Sequence, residues 1–487
     1  MRLAPGRKED YMDFAAFAEE HRDEIIRRTQ ELVRIPSIEG TPREGMPMGE
    51  DVARALNYVL DTCSELGFRT KNLDGYAGYA EYSSGEEMVG ILCHLDVVPA
   101  GEGWTKPAFG GVIEGDKLFG RGTTDNKGPA ISAMYALKAV QEAKIPLQRR
   151  VRLIFGTNEE SGWRGIRHYC RHEEMPTMAF VPDAQYPVIN VEKGIAHLRL
   201  ICTNDEIKPA ADNSTVLELL ELQGGHRANM IPGICTCRLR GEIEALEEVA
   251  KVAQDWEKDP YPRIQVSVED GVLTLTVTGL AGHGSTPESG VNAVAHMIQV
   301  LRSIVDAGFE IDSQAVTQLV EFLSAHVGLE NNGKSLGIGF RDAVSGALTL
   351  SIGVLRYEDG QAYVDFDIRY PVTKQLTEIV EPVKEAAKKY GIKVEVGHTN
   401  HSLHVPEDSF LVQQLLTVYE KHTGQKAKPL SMGGGTYARA LDNAVAFGPV
   451  MPKEPRNIHR EDEFTTITDL IRNTAIFADA ITLLAGK

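Results

Sequence analysis

Residues 91–104 read Ile91-Leu92-Cys93-His94-Leu95-Asp96-Val97-Val98-Pro99-Ala100-Gly101-Glu102-Gly103-Trp104, and the way this stretch ends governs the reading of the whole chain. The apolar run that starts at Met88 predicts a buried strand, which Pro99, Gly101 and Gly103 turn into a loop. His94 and Asp96 stand two residues apart at its end, so on a strand both side chains leave by one face. An imidazole can bind a divalent metal through one nitrogen while a carboxylate or carbonyl orients the other. By itself, a His near an Asp is more often a plain hydrogen-bonded pair.

The neighbouring segments change that balance. Lys117-Leu-Phe-Gly-Arg-Gly-Thr-Thr-Asp125-Asn-Lys-Gly leads into a helix expected over 129–143. A strand over Val151–Thr157 runs into Asn158-Glu159-Glu160-Ser-Gly, and another over Met178–Val181 runs into Pro182-Asp183. Helices are expected over 13–34 and 49–66, with short strands near 68–72 and 78–82. Strands alternating with helices predict a mostly parallel α/β sheet, and open sheets of that kind place their sites where strands end.

Near residue 195 the pattern becomes long alternating strands. The segment Asn229–Leu239 precedes a helix over 243–257 and a strand over 263–269; Ala362–Pro371 precedes a helix over 375–390 and a strand over 392–396. This echo predicts two related α+β units, roughly 196–285 and 310–400, in a domain inserted at 196–400. The α/β pattern resumes over 401–487, completing a first domain begun over 1–195. This last part contains Gly433-Gly434-Gly435-Thr436 and Asn457-Ile-His459.

The 42% hydrophobic and 25% charged content of the 487 residues is that of a soluble globular protein. A formal charge of −18 excludes a polyanion-binding surface as the main function, so no nucleic-acid partner is expected. No apolar leader or membrane-spanning run is visible. Cys63, Cys93, Cys170, Cys202, Cys235 and Cys237 are scattered without zinc-finger spacing, which suits a reducing cytoplasm.

His94, Asp125, Glu160, Asp183 and His459 form a set of two histidines and three carboxylates. Five ligands are too many for a single catalytic metal that keeps an open position, and they suit two hard-to-borderline cations sharing a carboxylate. Taken with His94-Leu-Asp96-Val-Val-Pro, Gly122-Thr-Thr-Asp125-Asn-Lys-Gly128, Glu159-Glu160-Ser-Gly, Pro182-Asp183, Gly282-His283-Gly-Ser, Gly433-Gly-Gly-Thr436 and His459, the chain resembles the co-catalytic zinc peptidases related to aminoacylase and carboxypeptidase G. It is most similar to their bacterial dipeptidase branch, the β-Ala-Xaa (carnosine-type) dipeptidases, over essentially its whole length.

The resemblance implies a metallopeptidase domain interrupted by a lid. His94 and Asp183 would hold one metal and Glu160 and His459 the other, with Asp125 between them. Zinc is the first expectation, with manganese or cobalt compatible. Glu159 would be the general base, Asp96 would orient His94 or tune the metal, and a cis peptide would follow Asp125. From the lid, His283 would stabilise the oxyanion, and Arg369 and Asn229 would bind substrate. Backbone close to Gly435 and Thr436 would meet a substrate carboxylate, since the glycine run lacks the lysine of a phosphate loop. Cys93 stands where the family usually has glycine and should point away from His94 into the core.

The activity so implied is hydrolysis of short peptides by a monomer in which the doubled lid acts within its own chain. An N-acyl amino-acid deacylase or desuccinylase shares the chemistry, and a catalytically silent metal-binding relative is the alternative of another class.

Overall fold

The computed structural model describes residues 13–203, 215–455 and 457–486, so the segment before Tyr11 lies outside the described residues. The chain forms two compact units. One comprises residues up to Val191, His404–Leu430 and the chain from Gly435; the other comprises Glu192–Leu403 and Ser431–Gly434. The short stretch Ser431–Gly434 therefore belongs with the insertion, not with the C-terminal part 401–487 in which it falls along the chain.

In the first unit the strands lie in the order Arg69–Leu73, Ala77–Tyr82, Arg150–Gly156, Met88–His94, Met178–Val181, Ala444–Ala446 and Ile189–Glu192. The four strands from Arg150–Gly156 to Ala444–Ala446 run parallel, with antiparallel strands on either side. Met88–His94 and Met178–Val181 are buried at every position, because strands covered on both faces have no polar alternation. The helix Lys127–Glu142 is also buried almost all round, packed between this sheet and the helix Ile467–Ala485. From Met88–His94 the chain crosses to Arg150–Gly156 on one side, then returns to Met178–Val181 on the other. The strand order reverses at the His94 strand, which is where such sheets open a crevice.

The helix expected over 13–34 is two helices, Phe14–Glu20 and Arg22–Val33. The break falls at His21, whose Nδ1 lies 3.0 Å from the Phe17 carbonyl while its ring stacks on that phenyl. Arg164–His172 and Gln314–His326 are helices that the sequence reading did not assign. The first is short and mostly polar, so its apolar face is too narrow to stand out.

The second unit is built on a sheet ordered Arg263–Glu269, Val272–Thr278, Ile234–Arg240, Thr215–Gly224, Thr349–Glu358, Gln361–Tyr370, Gly194–Thr203 and Lys393–Asn400. The two halves mirror each other about the pairing of Thr215–Gly224 with Thr349–Glu358. Each half carries a helix, Ile243–Gln254 or Leu376–Lys388. Gly194–Thr203 pairs with both Gln361–Tyr370 and Lys393–Asn400, so it belongs to the later half even though it opens the insertion. The halves are thus 215–278 and 349–400 with 194–203, which corrects the division into 196–285 and 310–400. Cys235 and Cys237 are buried on one face of their strand, as the period of two requires.

Candidate metal centre

Three of the four central strands deliver the site from their C-terminal ends. His94 is the last residue of its strand, Glu159 and Glu160 follow Arg150–Gly156, and Asp183 follows Met178–Val181. Asp125 is held just before the helix Lys127–Glu142, next to the Asp125–Asn126 bond, which is cis. Asn126 stitches the neighbouring ends together: its Oδ1 accepts the His94 N–H and its Nδ2 donates to the Pro182 carbonyl at 2.6 Å. Gly156 sits under Tyr437, where a β-carbon would lie 2.3 Å from the ring.

The five side chains singled out in the sequence converge. His94 Nε2 is 2.8 Å from Asp125 Oδ1 and 3.8 Å from Asp183 Oδ2. His459 Nε2 is 3.1 Å from Asp125 Oδ2 and 2.8 Å from Glu160 Oε1. Asp125 thus turns one oxygen toward each histidine. His94, Glu159 and Asp183 present donor atoms within 4.8 Å of one another, as do His94, Asp125 and Glu160. Glu159 is therefore near enough to serve as a ligand as well as a base.

Asp96 meets His94 through its backbone and the acidic turn through its side chain. The His94 Nδ1 partner is the Asp96 backbone carbonyl at 2.9 Å, whereas the Asp96 carboxylate is 3.7 Å away. That carboxylate instead accepts the backbone N–H groups of Glu159 (2.9 Å) and Glu160 (3.0 Å), fixing the acidic turn. Cys93 is buried and burial pushes its thiol pKa up, in keeping with a core position.

Burial disfavours the charge on His94, but the hydrogen bond to Asp125 and the nearby carboxylates of Asp183 and Asp96 outweigh it and hold its pKa well above the usual value. Burial likewise opposes the charge on His459, yet Asp125 and Glu160 raise its pKa to about 11. Burial and the Asp125 charge push Asp183 up to about 7. Burial, then the charge of Asp183, holds Glu159 well above the ordinary carboxylate range. So many buried acids facing two imidazoles make a field that retains protons, and the same field favours divalent cations.

In the second unit the structure groups Asn229, His283 and Arg369. Met230–Ile231 pairs with Gly282–His283, and the Asn229 carbonyl accepts the Gly284 N–H at 2.7 Å. A β-carbon on Gly284 would lie 2.5 Å from Asp367 Oδ2, so glycine is needed for this approach. Asp367, fully buried, stands 2.8 Å from Arg369 Nε and 2.9 Å from its Nη2, while Nη1 donates to the Gly433 carbonyl. Thr436 lies in the first unit. It is 1% exposed, and its hydroxyl accepts the Ala438 N–H at the start of a short helical turn. Gly435 packs against the Arg439 guanidinium. Asp96, Asn126 and Asp367 acquire their partners only in three dimensions.

The profile of Peptidase family M20/M25/M40 matches residues 90–483, and the chain belongs to that family of peptidases. It is 40% identical over 471 residues to "Putative dipeptidase YtjP" of Bacillus subtilis (strain 168), covering 95% of this chain and 98% of that protein. A relative of the same description from Staphylococcus aureus (strain USA300) is 33% identical over 472 residues, covering 95% and 97%. The fold matches human carnosine dipeptidase 1 with a TM-score of 0.56 at 14% identity, covering 97% of this chain and 98% of that one. The yeast (Saccharomyces cerevisiae) di-peptidase Dug1p gives the same TM-score, identity and coverage.

Proposed function

We propose that this protein is a metal-dependent dipeptidase that hydrolyses the amide bond of short peptides. The observation that carries the reading is the meeting of His94, Asp125, Glu160, Asp183 and His459 at adjoining strand ends in a chain of this peptidase family. The donor set suits two divalent cations, zinc first and manganese or cobalt as alternatives, with Asp125 shared. Such a pair supplies a Lewis acid for the scissile carbonyl and lowers the pKa of a water. Glu159 takes the proton from the attacking water and returns it to the leaving amine. Asp96 keeps Glu159 and Glu160 in register through their backbone N–H groups. His283 donates to the developing oxyanion, and Arg369, with Asn229 as a second candidate, receives the substrate's C-terminal carboxylate. Six unpaired cysteines suit a reducing cytoplasm. Among the described residues no helix is long and apolar enough to cross a membrane.

The deciding experiment assays chelator-stripped protein, alone and reloaded with zinc or manganese, on dipeptides, a tripeptide and N-acyl amino acids. Dipeptide cleavage that returns with metal supports the proposal. Activity confined to N-acyl amino acids would establish a deacylase instead, and no activity on any substrate a silent relative.

Two further outcomes are expected. Cations must displace the protons held by Asp183 and His459, so divalent-ion affinity rises as pH increases through about 7, where Asp183 titrates. Calorimetry in buffers of different ionisation enthalpy measures the released protons; pH-independent affinity would contradict this. Arg369→Lys keeps a cation beside Asp367 but loses the fork. Its kcat/KM on dipeptides should fall roughly 10–100-fold, the range for charge-assisted hydrogen bonds. An unchanged value, with unchanged preference over tripeptides, would remove Arg369 from the carboxylate site.

A further inference from the structure

Behind the ligands lies an ion pair that the chemistry above does not use. Arg121 and Glu463 are buried, with side chains 2% and 0% exposed, and Arg121 Nη1 donates to Glu463 Oε2 at 2.6 Å. The other oxygen, Glu463 Oε1, accepts three backbone N–H groups, from Gly122 (3.1 Å), Thr124 (3.1 Å) and Asp125 (3.3 Å). The carboxylate therefore gathers the turn that presents Asp125 and ends on the amide of Asp125 itself. The guanidinium reaches the other way. It donates to the carbonyls of Arg460 (3.2 Å), Ala100 (3.2 Å) and Pro99 (3.4 Å) and lies over the Trp104 ring at 5.2 Å.

These contacts connect three separate loops. Residues 99–100 follow His94 and Asp96, Gly122–Asp125 leads to the shared carboxylate, and Arg460 adjoins His459. The backbone supports the same junction: Gly120 N–H donates to the Glu463 carbonyl at 2.8 Å, and Phe464–Thr466 pairs with Lys117–Phe119. A buried ion pair adds little to stability compared with well-packed apolar residues, so retaining one points to a task beyond holding the fold.

We propose that Arg121 and Glu463 are positioning residues that fix Asp125 and His459 relative to His94, so that two divalent cations can share the Asp125 carboxylate. This rests on the two-metal reading of the site. Partners behind a metal ligand orient it, and their loss typically weakens metal binding 10–100-fold.

The test uses chelator-stripped full-length protein titrated with manganese(II) chloride, followed by calorimetry and electron paramagnetic resonance. Wild type is expected to bind two ions with the spectrum of an exchange-coupled pair. Glu463→Gln keeps the shape but loses the charge. The double variant Arg121→Met/Glu463→Leu removes both charges, leaving no uncompensated ion, and decides the matter should Glu463→Gln fail to fold. In the folded variants manganese affinity should fall about 10–100-fold and the coupled spectrum should give way to that of isolated ions. Folded variants with wild-type affinity and a coupled spectrum would show that the pair serves the fold alone. A wild type that binds a single ion would overturn the two-metal reading, and the positioning role with it, before any variant is compared.

Discussion

Glu159→Ala should lower kcat by ~10²–10⁴, the range for losing a general base, while the protein keeps its metal. The Glu159 main chain is fixed by the bond from its N–H to Asp96, so removing the side chain should leave the turn in place. Burial, then the neighbouring Asp183 charge, holds its carboxylate pKa well above the ordinary range, the direction that strengthens a base. Glu160 provides the contrast. Its Oε1 lies 2.8 Å from His459, so Glu160→Ala should reduce metal content. Because Glu159 also comes within ligand reach of His94 and Asp183, metal analysis of both variants is essential. Metal lost from Glu159→Ala but retained by Glu160→Ala would exchange the two roles.

His283→Ala should lower kcat about 10²–10³-fold with little change in KM, as expected for a donor that acts on the developing oxyanion. The local hydrogen bonds favour that role. His283 Nδ1 accepts the Ser285 backbone N–H at 3.1 Å and lies 2.7 Å from the Ser285 hydroxyl. An acceptor at Nδ1 puts the proton of the neutral ring on Nε2, which makes Nε2 a donor. Steady-state kinetics on a dipeptide separates the possibilities. A raised KM at unchanged kcat would make His283 a ground-state binding residue instead.

His94, Glu159, Glu160 and Asp183 were legible because each stands at a chemical discontinuity, whereas Asp125 precedes a helix and His459 lies in a loop. An apolar strand ends, and His94, Glu159–Glu160 or Asp183 follows at once. Burial patterns and helix periods come from neighbours in the chain, so they can be read locally. That was enough for the α/β alternation and for the inserted domain. It also accounts for the buried alternation of Cys235 and Cys237.

What the sequence by itself determined was which residue types stand at the strand ends and which segments are helix or strand. Tertiary structure alone decided which groups meet. Glu463 lies 342 residues from Arg121, and nothing in Asn457–Phe464 distinguishes a buried carboxylate from a solvated one. The Asp96 carboxylate could have faced His94, yet it caps two amides 63 and 64 residues away. Thr436 follows a glycine run in sequence, and only the fold buries it with its hydroxyl on the Ala438 N–H. Gly194–Thr203 opens the insertion in sequence and joins its later half in space, because strand pairing selects a partner by fit across the sheet rather than by proximity along the chain. A charge shows its environment only when the chain has closed around it, and that closure is a property of distant residues together.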